Sequence, residues 1–301
     1  MYHITIKPET YSFDKELADQ HPYCEKQTKI DKQEAYRQHK TLCLNLENTL
    51  KFAMYRKDEF LPDIVFISSA GLSLPRLPEP LIILPNMKYA QRKAELPYIK
   101  EIFKELQIKT VDFPEKAPFE GQSECKWFHG GELLIVGYGF RNNKETVNTL
   151  KNLLTQIYTA YGLVPPIVLG VRLKIFDYYR LDMAMLETSE LSCIIHVNSI
   201  KDRDLYKLEK ELGKSHIKII DTYDKFCLNS VINGDSLLTH KLHNPDLKRF
   251  LEMETGKTVV EIDTSEYEKT GGSVRCLVFD IFDPRAIKRK KHSNSCPSSP
   301  K

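Results

Sequence analysis

The sequence lacks the features that mark several large classes of protein. Its 44 lysine and arginine residues nearly balance its 41 aspartate and glutamate residues, so the net charge gives no argument for nucleic acid or a membrane surface as partner. No run approaches the roughly 18 apolar residues of a membrane span, and the first residues, MYHITIKPETYS, have none of the anatomy of a signal peptide. We therefore predict a soluble cytoplasmic protein without a membrane or nucleic-acid partner.

Paired cysteines and nucleotide-binding loops are also missing. The seven cysteines are scattered singly, without a CxxC pair, and their number is odd, so free thiols in a reducing compartment are expected rather than disulfides or a zinc site. No GxGxxG or GxxxxGK motif follows an apolar run. We expect neither a metal nor a cofactor.

What the sequence does contain is an alternation of helical and extended patterns. Short β-rich runs separate the helical segments, which indicates an α/β fold. The runs are DIVFI, LIIL, ELLIVGYGF, PIVLGV, SCIIHV, IKII, KTVVEI and VRCLVFDIF. The helix centres recur about every 45 to 60 residues, so the pattern permits a ring of five strand–strand–helix–strand modules, with a doubly wound sheet as the alternative. The five helical segments are about 32–53, from Pro97, 147–161, 204–212 and from Asn244.

The last residues differ from everything before them. The stretch IKRKKHSNSCPSSPK (287–301) has almost no apolar residues and cannot bury enough surface to fold. We therefore predict a single domain over residues 1–286 and a disordered basic tail over 287–301. The cluster Lys288–Lys291 fits a nuclear localisation signal, a contact with acidic partners, nucleic acid included, or a simply solvated tail.

One cysteine stands on an unusual turn. In EYEKTGGSVRC (266–276), two glycines precede Arg275 and Cys276, and the apolar run LVFDIF follows as an expected strand. An arginine beside the thiol and a bare turn that a ligand can approach favour a nucleophilic cysteine. The alternative is a buried cysteine in a core strand.

The extended stretch EIDTSEYEKTGGSVRC (261–276) resembles the C-terminal signature of the dimethylarginine dimethylaminohydrolase and amidinotransferase families. The similarity covers about residues 30–283. It implies the pentein fold, a five-fold pseudosymmetric α/β propeller, and agrees with the five helices. The other segments that follow the order of the family motifs are LPDIVFISSAGL (61–72), RKAELPYIKEIF (92–103), FEGQSEC (119–125), GYGFRNN (137–143), YYRLDMAM (178–185) and FCLNSV (226–231).

The resemblance implies chemistry on a small guanidino or amidino compound. A thiolate attacks the central carbon of the guanidinium, carboxylates hold its N–H groups, and an acid/base protonates the departing amine. The implied catalytic residues are Cys276 as nucleophile and Glu120, which holds the guanidinium together with Asp63. The implied substrate-binding residues are Asp63, Asp182, Glu124 and Asn229, with Arg141 on a substrate carboxylate.

The chain departs from the family at three of these motifs. The family's acid/base histidine is replaced by Arg180, which stays protonated at neutral pH and cannot transfer a proton. Its charge would lower the pKa of Cys276 and repel a cationic substrate. The Gly-Asp pair of the FEGxGD motif is replaced by Ser123-Glu124, and an asparagine of the first motif by Ser69.

A substitute base is available in the sequence. An antiparallel hairpin about Ser189 would place His196 across from Asp182, on the face shared with Arg180. A histidine held by an aspartate is a suitable base. The alternative is a polar residue at a strand end, since the register of a hairpin is not fixed by this pattern.

Two functions follow from these residues. The first is a divergent guanidine-modifying enzyme, a hydrolase or an amidinotransferase, that acts through a covalent thiouronium at Cys276. The second is a catalytically inactive pentein used for binding or assembly, because Arg180 replaces the acid/base histidine. The sequence leaves homo-oligomerisation open.

Overall fold

A computed structural model describes residues 1–13, 29–47, 49–52 and 61–285 of the chain. These residues form eight α-helices and fifteen strands. The helices are α1 Lys32–Asn45, α2 Ala90–Lys93, α3 Leu96–Glu105, α4 Lys144–Ala160, α5 Leu181–Ala184, α6 Asp202–Leu212, α7 Pro245–Thr255 and α8 Ser265–Glu268. The strands are β1 Tyr2–Ile6, β2 Thr49–Phe52, β3 Leu72–Ser73, β4 Leu81–Leu84, β5 Lys109–Asp112, β6 Cys125–Phe128, β7 Leu133–Tyr138, β8 Ile167–Arg172, β9 Met185–Glu187, β10 Cys193–His196, β11 Ile217–Ile220, β12 Val231–Asn233, β13 Ser236–His240, β14 Thr258–Ile262 and β15 Phe279–Ile281.

The strands form five sheets of three strands that share one pattern. In each sheet the middle strand pairs antiparallel with one neighbour and parallel with the other. The parallel pairs are joined by crossovers that contain a helix, as parallel strands require. The modules are β3–β4–β5, β6–β7–β8, β9–β10–β11, β12–β13–β14 and β15–β1–β2. The predicted five-module α/β architecture is confirmed, and the described residues do not form one doubly wound sheet.

The five predicted helices are confirmed, with small changes in their limits. The first ends at Asn45 rather than near residue 53, and the second begins at Leu96, one residue before Pro97. Helix α4 begins with a capping box in which Asn143 and Thr146 each accept a hydrogen bond from the other's backbone. These local signals set the helix ends, while the buried apolar face holds each helix on its sheet.

Three predicted strands were wrong in part or in whole. The run DIVFI contains no strand and leads into a 3₁₀ turn at Ile67–Ser69. The strand expected from Arg180 begins with the one-turn helix α5 instead, and the run VRCLVFDIF begins with a 3₁₀ turn at Arg275–Leu277. All three turns are fully buried. An apolar run in a buried turn has the same pattern as an apolar run in a buried strand, which explains the error.

A buried turn precedes the first strand of every module. The turns at Ile67–Ser69, Gly121–Glu124, Leu181–Ala184 and Arg275–Leu277 come before β3, β6, β9 and β15, and the segment with Asn229 comes before β12. The five modules therefore bring five short turns together, and these turns carry most of the predicted site residues.

Four hydrogen bonds and one packing contact join these turns into a closed ring. Gln122 donates its backbone N–H to the carbonyl oxygen of Gly71 over 2.7 Å, next to the first turn. Leu181 N donates to Glu124 Oε2 over 3.1 Å, and Arg275 N donates to the carbonyl oxygen of Asn229 over 3.1 Å. The Asn229 Nδ2 donates to the carbonyl oxygen of Asp182 over 3.4 Å. The turn at Arg275–Leu277 contacts the one at Ile67–Ser69, which closes the ring.

Two predictions are not tested by the residues that the structure describes. The basic tail at 287–301 lies outside the described residues, and the single-domain prediction for 1–286 stays a prediction. None of the helices in the described ranges has the length and apolar character that a bilayer crossing requires.

The close approach of Gly121 to Gly71 gives a test of the ring. Gly121 has a φ of +59°, and an added Cβ would lie 2.3 Å from the Gly71 carbonyl oxygen, which is backbone and cannot move aside. We expect Gly121→Ala to lower the free energy of unfolding by about 3 kcal/mol or more in urea denaturation. Gly162→Ala is the control, because Gly162 has a φ of +68° and open space around it; only the backbone term of about 1 kcal/mol applies there. Equal losses in the two variants would show that this contact does not constrain the fold.

Candidate functional site

Cys276 lies in the ring of turns with its side chain fully buried. Its Sγ lies 3.3 Å from Asn229 Nδ2, a donor, and 3.6 Å from Asp182 Oδ2. The backbone N–H of Cys276 donates to Asn229 Oδ1 over 3.3 Å. Burial and the Asp182 carboxylate raise the pKa of the Cys276 thiol to about 12, although Arg180 and Asn229 act in the opposite direction. At neutral pH the described site therefore holds a thiol rather than a thiolate.

The two glycines before Cys276 have separate structural causes. Gly271 has a φ of +85°, a conformation that side chains other than glycine rarely adopt. An added Cβ on Gly272 would lie 2.2 Å from the ring of Phe66. The two glycines are therefore needed so that the segment can pass close to the aromatic side chain of Phe66 and place Cys276 among the five turns.

Glu120 is the centre of a buried ion cluster. Its Oε2 accepts a hydrogen bond from Arg180 Nη2 over 2.9 Å, and its Oε1 accepts one from Arg141 Nη1 over 3.4 Å. All three side chains are at most 2% exposed. Burial alone would raise the pKa of Glu120, but the charges of Arg141, Arg180 and Arg92 outweigh it and hold the pKa at about 2. Glu120 is therefore ionised, and both of its oxygens already have cationic partners.

Aromatic rings hold the two arginines in place. The Arg141 Cζ lies 4.7 Å from the centre of the Tyr89 ring and 5.0 Å from that of Tyr179, and the Arg180 Cζ lies 5.3 Å from the latter. The Tyr179 hydroxyl donates to the carbonyl oxygen of Gly271 over 2.8 Å. Tyr179 thus stacks against both cations and links them to the turn that precedes Cys276.

Asp182 and Glu124 complete the group, and both are fully buried. Burial raises the pKa of Asp182, with the charges of Arg180, Lys126 and Arg275 opposing the change. Burial and the Glu120 carboxylate raise the pKa of Glu124 well above its ordinary value. The environment of Glu124 therefore favours the protonated form of this carboxyl group over the ionised one.

Asp63 is buried beside a second ion pair. Arg92 donates two hydrogen bonds to Glu95, from Nε and from Nη2, each over 2.8 Å. The charge of Asp63 acts on both members of this pair. In the neighbouring turns, Ser69 Oγ donates a hydrogen bond to Ser123 Oγ over 3.2 Å. Two positions that depart from the family motifs therefore contact each other.

A family comparison identifies this arrangement. The model of the eukaryotic N,N dimethylarginine dimethylhydrolase family matches residues 3–283. The chain belongs to that family. The resemblance inferred from the motifs is thereby confirmed.

Two curated relatives have related sequences. An uncharacterised protein of Caenorhabditis elegans is 26% identical over 254 residues, which cover 84% of this chain and 85% of the relative. The bifunctional arginine dihydrolase/ornithine cyclodeaminase ArgZ of a Synechocystis strain is 27% identical over 225 residues. Those residues cover 74% of this chain and 30% of ArgZ, so the similarity spans less than a third of that longer protein.

Solved structures show that the fold is that of the penteins. The N-terminal domain of ArgZ, an arginine dihydrolase from cyanobacteria solved with its substrate, superposes with a TM-score of 0.78 at 22% identity, covering 92% of this chain and 97% of that one. A dimethylarginine dimethylaminohydrolase in which glycine replaces a histidine, solved as an adduct with S-methyl-L-thiocitrulline, superposes with a TM-score of 0.67 at 18% identity. The coverage there is 93% of this chain and 99% of that one.

The predicted register of His196 was wrong. Strands β9 and β10 pair Ile194 with Leu186 and Ile195 with Met185, and Asp182 lies in helix α5 before β9. His196 Nε2 lies 2.6 Å from the Tyr178 hydroxyl and 2.7 Å from the carbonyl oxygen of Thr222. The helix moves Asp182 out of the hairpin, so His196 has structural partners and does not reach the Cys276 site.

Three buried residues near the site, Arg92, Glu95 and Tyr179, were not assigned a role from the sequence. Arg92 and Glu95 lie three positions apart in the quoted RKAE motif, and that spacing was the available signal for their ion pair. Tyr179 directly precedes Arg180, but no sequence pattern indicates that its ring would stack on two arginines. The site residues that were predicted from the sequence and that the structure brings together are Cys276, Asn229, Asp182, Glu120, Arg180, Arg141 and Glu124.

A second charge cluster, centred on His240, is hydrogen bonded to the turn that precedes Cys276. His240 forms ion pairs with Asp224 over 2.6 Å and with Glu268 over 3.3 Å. Thr264 Oγ1 donates to Glu268 Oε1 over 2.7 Å and lies 2.8 Å from Ser273 Oγ in the turn before Cys276. Burial alone would lower the pKa of His240, but its two carboxylate partners outweigh burial and raise the pKa from 6.5 to about 9.

This raised pKa predicts a pH-dependent stability. A folded-state pKa above the unfolded one means that protonated His240 stabilises the fold fully below about pH 6.5, and that this contribution is lost as pH rises through about 9. The contribution is about 3 kcal/mol at most. We expect His240→Gln to remove most of the loss in unfolding free energy that the wild type shows between about pH 6 and 10 in urea denaturation. His243→Gln, at an exposed histidine nearby, should leave the wild-type profile unchanged; a wild-type profile in His240→Gln as well would contradict the assignment.

Proposed function

We propose that this protein is a pentein of the dimethylarginine dimethylhydrolase family that does not turn over arginine or methylarginines. In this proposal the site around Cys276 serves to bind a ligand and not to catalyse a reaction. The observation that carries the proposal is the 2.9 Å hydrogen bond from Arg180 Nη2 to Glu120 Oε2. The family resemblance assigns Glu120 to the guanidinium of the substrate. In this chain the guanidinium on Glu120 belongs to Arg180 itself.

Proton transfer supports the same conclusion. Hydrolysis of a guanidine needs a group that gives a proton to the departing amine and later takes one from water, which contributes about 10²- to 10⁴-fold to the rate. Arg180 has a pKa well above its ordinary value because Tyr179, Glu120 and Cys276 outweigh the effect of burial. It keeps its protons at every physiological pH. His196, the substitute base predicted from the sequence, instead forms hydrogen bonds with the Tyr178 hydroxyl and with the carbonyl oxygen of Thr222.

The charge of the site also disfavours a guanidinium. Two buried arginines, Arg141 and Arg180, share one ionised carboxylate, that of Glu120. An arriving cation would enter a region of low dielectric that already holds the charges of Arg141 and Arg180. Its binding would require Arg180 to leave Glu120.

A second function is favoured by the contacts of Cys276. Its Sγ lies within 3.6 Å of both Asn229 and Asp182, an arrangement that suits a guanidine-modifying enzyme with a cysteine nucleophile. In that mechanism the thiolate attacks the guanidinium carbon to form a C–S bond, and the amine takes a proton from an acid and leaves as the C–N bond breaks. Water or an acceptor amine then attacks the same carbon of the thiouronium, and the C–S bond breaks to release the product and return the thiolate. The dimethylarginine dimethylaminohydrolase with glycine in place of a histidine was captured as an adduct with S-methyl-L-thiocitrulline. The second function therefore includes covalent modification of Cys276 by a ligand without turnover.

Product release separates the two functions. Citrulline, ammonia and methylamine would be assayed with arginine and with methylarginines for the wild type, Arg180→His and Arg180→Gly. We expect the wild type to release product at the uncatalysed background rate and Arg180→His to exceed that background by at least about 100-fold, because an acid/base returns and Glu120 becomes free. Arg249→His is the control, since Arg249 lies on the surface and its change should create no activity. Wild-type turnover that Cys276→Ser abolishes would establish the second function instead.

Covalent labelling tests whether Arg180 blocks the site. A chloroacetamidine carries a guanidinium-like cation and loses chloride when a thiolate attacks its methylene carbon. We expect Arg180→Gly to be labelled at Cys276 at least about ten times faster than the wild type, as followed by intact mass and peptide mapping, because a buried like charge has been removed. Equal labelling rates in the two proteins would show that Arg180 does not occupy the cation site.

A further inference from the structure

A cavity of about 310 Å³ lies beside the ring of turns and is separate from the Cys276 site. The first strands β6, β9, β12 and β15 each contribute to its walls, so it lies between the modules, where they face one another. Its lining includes none of the predicted site residues that the structure brings together around Cys276. A space of this size accommodates a small organic molecule and exceeds what a single structural water needs.

One wall of this cavity carries a buried lysine. Lys126, in β6, is 2% exposed and lines the cavity. Its Nζ lies 2.6 Å from Glu187 Oε2, at the end of β9 in the neighbouring module. An ammonium group has three N–H donors, and Glu187 is its single ion-pair partner among the described residues. Lys126 can therefore donate further hydrogen bonds to a molecule in the cavity, which a buried charge requires.

The other charged groups of the lining differ in their availability to a ligand. Arg275 Nη1 lies 2.7 Å from Asp280 Oδ2, so these two charges are paired within the protein. Glu190 also lines the cavity, and no ion pair joins its carboxylate to another described residue. The groups left for a ligand are therefore one cation, Lys126, and the carboxylates of Glu187 and Glu190.

The rest of the wall is largely apolar. Trp127, Leu186, Ile232 and Phe282 line the cavity beside these charges. An occupant therefore gains most by burying an apolar group against these side chains while its polar end meets both a cation and a carboxylate. A molecule with one charge would leave that charge unbalanced in a partly enclosed space, whereas a molecule with both charges would not.

We propose that this cavity binds an α-amino acid with an apolar side chain. Its carboxylate lies on Lys126, its ammonium group lies on Glu187 and Glu190, and its side chain packs on the wall with Trp127 and Ile232. The two charges of an α-amino acid are attached to one carbon atom, so they can face a lysine and a glutamate that are themselves in contact. This second site goes beyond the proposed function, because it does not depend on what happens at Cys276.

Matched ligands test the proposal on the full chain by isothermal titration. L-leucine, 4-methylpentanoate and 3-methylbutylamine share one branched apolar group, but the second lacks the ammonium group and the third lacks the carboxylate. Glycine keeps both charges and lacks the apolar group. We expect L-leucine to bind about tenfold or more tighter than each of the other three, because each has lost one of the contacts described. Equally tight binding of the acid, the amine or glycine, or no binding of L-leucine at millimolar concentration, would overturn the proposal.

A change at Lys126 tests the position of the carboxylate. Lys126→Met removes the cation and keeps an unbranched side chain, so L-leucine should then bind no more tightly than 3-methylbutylamine does. Lys100→Met is the control, because Lys100 lies on the surface in an ion pair with Asp112, and it should keep the wild-type preference for L-leucine. A wild-type preference in Lys126→Met as well would contradict the assigned geometry.

A substitution that fills the cavity shows whether the ligand lies there. Ile232→Trp places a larger side chain in the space that the ligand needs, so the affinity for L-leucine should fall about tenfold or more. Ile219→Trp is the control, because Ile219 is 47% exposed on β11 and does not line the cavity. Equal affinities in the two tryptophan variants would place the amino acid outside this cavity, for example at the Cys276 site, and would overturn the proposal.

Discussion

The buried hydrogen bond between Arg180 and Glu120 determines what this site can do. Burying an isolated charge is so costly that each side chain can remain ionised only because the other is there. With Arg141 as the second partner, Glu120 has a cation on each oxygen. Tyr179 packs against both arginines and is hydrogen bonded to the turn that leads to Cys276. The cluster therefore fixes the carboxylate, the cations and the cysteine turn in one arrangement.

The fold supplies the frame for this cluster through repetition. Each module places a buried turn before its first strand, and four hydrogen bonds and one packing contact between neighbouring turns close them into a ring. Two of the closest approaches at these turns involve glycines: Gly121 lies against Gly71, and Gly272 lies against the aromatic side chain of Phe66. The ring therefore depends on backbone groups, on the side chains of Glu124 and Asn229, and on the absence of Cβ atoms at the two glycines.

Relatives with this fold include ArgZ, an arginine dihydrolase, and dimethylarginine dimethylaminohydrolase. This chain keeps their architecture. Arg180 stands where the family motif has a histidine, and an arginine carries a permanent charge and cannot transfer a proton. Glu124, one methylene longer than the aspartate of the family motif, accepts a hydrogen bond from Leu181 N. The two departures lie in the same buried cluster, since the charge of Arg180 acts on Glu124.

The sequence by itself determined the family, the five helices and the module pattern, because helix periodicity and motif order are local properties of the chain. It also indicated Cys276 and the change at Arg180, since both lie inside recognisable motifs. Only the tertiary structure decided where Asp182 and His196 lie, because one turn of helix before β9 changes the register of the hairpin. It alone showed that Arg180 lies on Glu120, 60 positions away in the chain. Such a pairing depends on how two modules meet around the ring, and no pattern within either segment encodes it.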